Sequence, residues 1–568
     1  MKRNLFTSSA VFLFSALTLA CCGGSSVQSP STEEARAALV LPEAPDSAQR
    51  SAAVQAARIW GFVKYHHPAF ARKSLNADAE YFTLLHRIIN APDSARNAVF
   101  AEWIAALGPV SMRSDSSVKC EVFNDFAWIY DTLQLGAPLS RMLAEIRQAD
   151  PGKNRYVEQT SVYVSYISYI EPEYTDIPDE DIAYRLLGVA KFWNAVDSYS
   201  PNRNLTDRPW DEVLRDYTAM AFDSSVDFMA LYSRMVSELC DSHVNSWFIP
   251  LFGGRFVPVV CRFAGERLFV TDTCTLVPND FRVGDEILRI DGKSPVERLA
   301  ELAPYMSCSN RAAFMRDGSY ASLLTAKEEV QLEYRSRGEL RTSTLSTVDG
   351  EHFVGRIYAN LYSPQKPTFE EVADGIACIR IGSLTCDDEP ELEELLKRYD
   401  KLIIDLRAYP AEYDVIHKLL PEYLFPEARE AVAVLLPQAD TPGIVVRWVE
   451  STERSSDSGR LFRGQIVLLV DASSQSMSEY FTMFLQTIPG VVTIGSQTAG
   501  ADGNVTRIQL PYASFSLTGL GVCYPDGLNA QRRGVKIDRV VEPTAEGLMQ
   551  GRDEQMEAAI DCLNGARI

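Results

Sequence analysis

Histidine is scarce in this sequence, with six in 568 residues, and the stretch from Met477 to Val535 contains no lysine. Basic residues are outnumbered, 55 Lys and Arg against 76 Asp and Glu, for a formal net charge of −21. That balance argues against nucleic acid, whose phosphates need a basic face, and no Lys/Arg run offers one. The eleven cysteines include no C-x-x-C pair, which leaves neither a disulfide scaffold nor a zinc site. There is no H-E-x-x-H. Ile287 stands where a phosphate loop ending in Gly292-Lys293-Ser294 needs its first glycine. No motif calls for a metal or a cofactor.

What is present is ordinary globular material, 46% hydrophobic and 23% charged, long enough for three or four domains. Residues 1–22 read as an export signal: Lys2 and Arg3, then an apolar run from Leu5 to Leu19 too short to span a bilayer. The run ends in Leu19-Ala20-Cys21-Cys22, which resembles a bacterial lipoprotein cleavage box with Cys21 (or Cys22) lipidated. An ordinary secretory signal is the competing reading. Either exports the protein, and the first leaves it lipid-anchored in the bacterial envelope, periplasmic or outer-membrane, with no other tie to a membrane. Residues 23–50, rich in Ser, Pro, Ala and Glu, read as a flexible tether.

Residues 51–247 have helical periodicity, are expected to be all-α, and contain a duplication. With the tryptophans superposed, residues 57–68 align with 190–201, and each copy runs on to a leucine, Leu107 or Leu239. The copies then part. One continues Gly108-Pro109-Val110, the other Cys240-Asp241-Ser242-His243-Val244. An architectural repeat has no need of a histidine there. His66 and His67 align with Tyr199 and Ser200, so aromatic or polar filling suffices for them. The tyrosine-rich stretch from Tyr156 to Tyr174 suggests no role.

Residues 253–346 switch to short strands, among them Gly284-Asp285-Glu286-Ile287-Leu288-Arg289-Ile290-Asp291-Gly292, which resembles the core strand of a PDZ domain. Such domains add an extended peptide to a sheet edge; a purely structural β-domain is the plainer reading. Residues 347–568 alternate strands and helices, the pattern of a mostly parallel sheet with function at the strand ends. Gln465 to Asp471 is its most apolar run and reads as a strand buried on both faces. It leads through a serine-rich turn into a helix starting near Glu479. Ser476 thus stands at a helix N-terminus, where amides and dipole favour an oxyanion. Ser476-Met477-Ser478-Glu479 equally fits a capping box. No G-x-S-x-G elbow surrounds Ser476, which argues against a lipase-type hydrolase.

A serine nucleophile needs a base. With lysine absent nearby, the six histidines are the candidates: His66 and His67 are set aside above, His86 lies in an amphipathic helix, and His352 in a polar stretch. His417 is a second choice, and His243, at the junction of helical region and β-domain, is the first.

Asp405-Leu406-Arg407, the Ser476 turn, Gly495-Ser496-Gln497-Thr498-Ala499-Gly500 and Gly534-Val535-Lys536-Ile537-Asp538, following a PDZ-like segment, together resemble the tail-specific (C-terminal-processing) serine peptidases over about residues 253–550. The resemblance implies a core of the crotonase and Clp-protease type with Ser476 as nucleophile. Ala501 and Asp502 stand where the better-known branch has a lysine, and Ala411 and Glu412 where it has paired glycines. The first departure resembles the tricorn-core-like branch, which implies His243 as general base and Ser242 as an orienting residue. That branch also places an acidic residue near the last glycine motif, where Gln531 is the nearest polar candidate. Backbone amides near Met477 and Ala411 would hold the oxyanion. The implied activity is a serine endopeptidase acting on unfolded or C-terminal polypeptide segments of envelope proteins. The alternative is a catalytically inactive relative that binds peptides or apolar ligands.

Overall fold

Two long helices, Ser47–His66 and Ile182–Tyr199, cross in the N-terminal half, each opened by an aspartate that caps it, Asp46 and Asp181. They meet at Gly61 and Asn194, where a β-carbon on Gly61 would lie 1.9 Å from Asn194 Cγ. Only glycine permits that approach. Trp60 Nε1 donates to the Ala77 carbonyl at 2.8 Å and Trp193 Nε1 to the Trp210 carbonyl at 2.7 Å, each 17 residues ahead. The computed structural model describes residues 30–113, 120–160, 166–175, 177–178, 181–244, 249–273, 280–351, 353 and 366–565. The export signal with Cys21 and Cys22, and His352, lie outside the described residues.

Two expectations for this half need correcting. Residues 31–50 are not a loose tether. Ser31 caps a helix, Thr32–Ala38, whose Ala35 is buried with the following Leu39, and whose Arg36 pairs with Asp181 at 2.6 Å. Nor is the region all-α. Cys120–Val122 joins a four-stranded antiparallel sheet through Ile444–Ser451, and Val157–Gln159 pairs with Ile167–Tyr169. The tyrosine-rich stretch straps the two copies together: Tyr156 Oη accepts from the Ala77 amide at 2.9 Å in the first, and Tyr169 donates to the Ala195 carbonyl at 3.2 Å in the second.

The middle segment is a five-stranded antiparallel sheet, in the order Glu339–Ser346, Glu329–Ser336, Glu286–Ile290, Arg267–Thr273 and Val259–Ala264. It carries the helix Pro295–Leu302, opened by a Ser294 capping box, and a second helix, Arg311–Ala321, against its last strand.

The C-terminal segment is an α/β layer. Its sheet runs Phe369–Ala373, Ile376–Arg380, Lys401–Asp405, Gln465–Val470, Val492–Gly495, Arg539–Val540, parallel except for the first pair. Gln465–Val470 lies centrally, and only Gln465 is exposed, as its apolar run requires. One hairpin, Val505–Gln509 with Ser514–Thr518, leaves this layer and buries Ile508, Phe515 and Leu517 in the core of the helical region. That excursion brings the two halves of the site together.

Candidate active site

The strand Gln465–Val470 runs into Asp471 and a turn with four serines, three of which shape the site. Ser474 Oγ donates to the Leu406 carbonyl at 2.9 Å, and Ser478 Oγ donates to the same oxygen. They fasten the turn to the end of the neighbouring strand. Ser476, between them, has φ 56° and ψ −122°, a conformation costly for any residue with a side chain and kept only where the surroundings enforce it. It opens the helix Met477–Leu485. Glu479, in the first turn of that helix, accepts from the Ser476 amide at 3.2 Å, completing one half of the capping box. The same carboxylate accepts from Thr498 Oγ1 at 2.5 Å and from the Gly500 and Ala501 amides at 2.8 and 3.0 Å. Burial pushes its pKa up, against those four donors.

Arg407 is structural. It pairs with Asp405 at 2.9 Å and with Asp553 at 2.7 Å, tying the last helix, Glu554–Leu563, to the sheet. Gly534 has φ 82°, and a β-carbon there would lie 2.3 Å from Thr498 Oγ1, so the last glycine motif packs on the loop that holds Glu479.

His243 arrives from the helical side, its side chain only 8% exposed. Its Nδ1 lies 2.8 Å from Thr518 Oγ1, and that hydroxyl donates to Asp241 Oδ1 at 2.8 Å. A hydroxyl whose proton is given to a carboxylate must accept from the ring, so Nδ1 carries hydrogen and Nε2 keeps its lone pair. Asp241 is held by the Thr518 amide at 2.7 Å and approached by Gln531 Nε2 at 3.4 Å. Burial pulls the His243 pKa below the ordinary histidine value; the Asp241 charge opposes this and Arg316 adds to it. The ring is neutral and basic near pH 7.

Ser242 does not touch that ring. Its amide and hydroxyl exchange bonds with Ser309, both at 2.9 Å, and Thr518 makes the ring contact that was expected of it. The Ser242 carbonyl accepts from Gln475 Nε2 at 3.3 Å, so the residues preceding His243 and Ser476 touch directly. No hydrogen bond joins the Ser476 and His243 side chains among the described residues. Tyr409 stands beside Ser476 and the Met477 amide, both of which stabilise its phenolate against the burial that raises its pKa. The Ala411 amide donates to the Ile381 carbonyl at 3.2 Å, so of the two expected oxyanion donors it is the one already engaged within the fold.

Other histidines serve elsewhere. His66 is buried, with Nδ1 2.8 Å from the Phe62 carbonyl, and His86 Nδ1 accepts from the Val40 amide at 3.2 Å. His417 Nε2 lies 3.2 Å from the hydroxyl of Tyr480, a residue that with Ser476 lines a cavity of about 670 Å³. Sequence reasoning missed Asp241, Thr518 and Tyr409. Asp241 stood in the same diverging segment as His243, whereas Thr518, 275 residues away, left no signal.

A strained serine at a helix N-terminus, past the end of a central parallel strand, puts this molecule in the class of serine peptidase hydrolases. Residues 375–541 match the family model described as peptidase family S41. Mature CPAF is similar in fold, with a TM-score of 0.53 at 14% identity over 68% of this chain and 99% of that one. CPAF complexed with lactacystin gives 0.52 at 14% identity, over the same shares of the two chains. The photosystem II D1 C-terminal processing protease matches at 0.37 and 17% identity over 65% of this chain and 98% of that one. No curated protein matches the chain.

Proposed function

We propose that this protein is a serine endopeptidase that hydrolyses peptide bonds in unfolded or C-terminal segments of envelope proteins, with Ser476 as nucleophile and His243 as general base. One observation carries the reading: the relay Asp241–Thr518–His243 is docked, through Gln475 and Ser242, against the turn that strains Ser476. His243 Nε2 takes the Ser476 proton as Oγ attacks the substrate carbonyl, then returns it to the leaving amine. Thr518 and Asp241 hold the imidazolium formed in between. The Met477 amide, beside Tyr409, receives the developing oxyanion. The PDZ-like reading of residues 253–346 and the crotonase-type reading of the core belong to the same proposal, supported by the order of the sequence motifs. So does lipid attachment at Cys21, supported by the cleavage box.

Purified protein is incubated with denatured casein beside Ser476→Ala and His243→Ala. Turnover by the wild type alone is the expected result; equal turnover by all three removes the mechanism.

The binding-only reading draws on one feature, the crowding of the oxyanion donors: Tyr409 stands against Met477 while the Ala411 amide serves the Ile381 carbonyl. It predicts saturable binding of casein peptides with no turnover, in Tyr409→Phe as in the wild type.

A further inference from the structure

Asp502 follows the loop that holds Glu479 and is 4% exposed. One carboxylate oxygen accepts from the Gly503 amide at 2.7 Å, while Oδ2 is buried with no hydrogen-bond partner. The residue lines the cavity beside Ser476. A buried carboxylate with an idle oxygen is costly, and such a group persists where a ligand supplies what the fold does not.

The cavity shows what that ligand is. Val434, Leu520 and Val522 give it aliphatic walls, while Glu412, Asp414, Glu450 and Lys418 are its other charged residues. Lys418 is bound to Asp414 at 2.6 Å. Glu450 accepts from the Tyr480 hydroxyl, and Glu412 from the Cys386 amide at 2.8 Å. Counting Asp502, four acids stand against one cation that is already paired. A side chain matching this has an aliphatic stem and a cationic, hydrogen-donating tip, the description of lysine and arginine.

We propose that Asp502 determines specificity at this cavity, selecting peptides that place a lysine or arginine side chain beside Ser476. The inference rests on the peptidase reading above, and its test separates the two.

Burial, with Glu479 and Glu450 adding to it, pushes the empty Asp502 carboxyl well above the usual range. The groups facing it are Glu479 from the nucleophile helix, Glu450 from the strand Ile444–Ser451, Tyr409 and Tyr413 from the segment after Lys401–Asp405, and the Gly503 amide. A bound cation draws off the proton, so binding releases H⁺ and strengthens as pH rises.

The probe is 4-aminobenzamidine, with neutral 4-aminobenzamide as its control, titrated into the full chain at pH 5 and pH 8. The cation should bind at least tenfold tighter than the control at pH 8, lose affinity at pH 5, and lose at least tenfold in Asp502→Asn. Glu450→Gln, on the opposite wall, should lose about threefold. Absence of binding, equal affinity for the two probes, or affinity unchanged in a folded Asp502→Asn overturns the assignment. In parallel, kcat/KM is measured for peptides differing only by Lys or Leu at the scissile position. The Lys:Leu ratio should exceed ten and fall toward one in Asp502→Asn. If no peptide is cut in a Ser476-dependent way, the peptidase reading fails while the probe still judges the cavity.

Discussion

Two regions of this molecule bury charge, and they arrange it in opposite ways. In the helical half, Lys64 and Lys191 face Glu171 and Asp78 at 2.5 to 2.8 Å, all four side chains 2% exposed or less. Two cations meet two anions, contributed by both copies of the duplication and by the tyrosine strap. In the catalytic half, Asp502 is buried with an unpartnered oxygen, and the charges nearest it, Glu479 and Glu450, have its own sign. The first cluster closes on itself and fixes how the helical copies sit. The second leaves an oxygen without a partner, on a residue that lines a cavity. Burial alone therefore does not separate structure from function here; compensation does.

Removing one partner from the closed cluster should have the largest effect. Lys191→Met leaves Asp78 and Glu171 against Lys64 alone, and about 3–5 kcal/mol of stability should disappear. Urea unfolding followed by tryptophan fluorescence reads this, and a loss under about 1 kcal/mol would erase the contrast between the regions.

Thr518→Val comes next. It cuts His243 Nδ1 off from the Thr518 hydroxyl and so from Asp241, a link worth about 1.5–3 kcal/mol for a bond to a charged group. The expected loss is about 10- to 100-fold in kcat with KM little changed. A change confined to KM would place Thr518 in substrate binding instead.

The pH profile sharpens the comparison further. Because burial depresses His243, the acid limb of kcat/KM should lie below the ordinary histidine value of about 6.5. A limb at or above that value would mean that the ring is held charged.

The smallest effect concerns stability. The folded carboxyl of Asp502 is raised, so its contribution is full below the unfolded value of about 3.9 and is lost as pH rises through the folded one. Asp502→Asn should remove that decline and raise Tm at pH 8 by about 1 °C for each kcal/mol recovered in a chain of this length. A lower Tm at pH 8 would show that Asp502 stabilises the fold after all.

The parts of this arrangement legible in the sequence had a local signature. The strand Gln465–Val470 announces itself because a centrally placed parallel strand must be apolar on both faces. His243 stands out because a duplication exposes the place where one copy departs from the other. Thr518 had no such mark: it reaches the ring on a hairpin whose apolar residues read as core of the α/β layer but pack in the helical region. Ser242 was assigned its part by family pattern, and the fold uses it to lock Ser309. Residues 31–50 read as tether from composition, yet Arg36 finds Asp181 across 145 positions, which no local window reveals. Asp502 was visible only as the place where a lysine is missing. Its meaning comes from burial, an idle oxygen and a cavity, all properties of the folded chain.

The central claim, that Ser476 and His243 act as one unit, is tested most directly by the rate at which a fluorophosphonate labels Ser476. Wild-type protein should be labelled at that residue alone, and His243→Ala should slow the labelling at least 100-fold while leaving the fold intact by circular dichroism. Equal labelling rates in the two proteins, or none in either, would contradict the account.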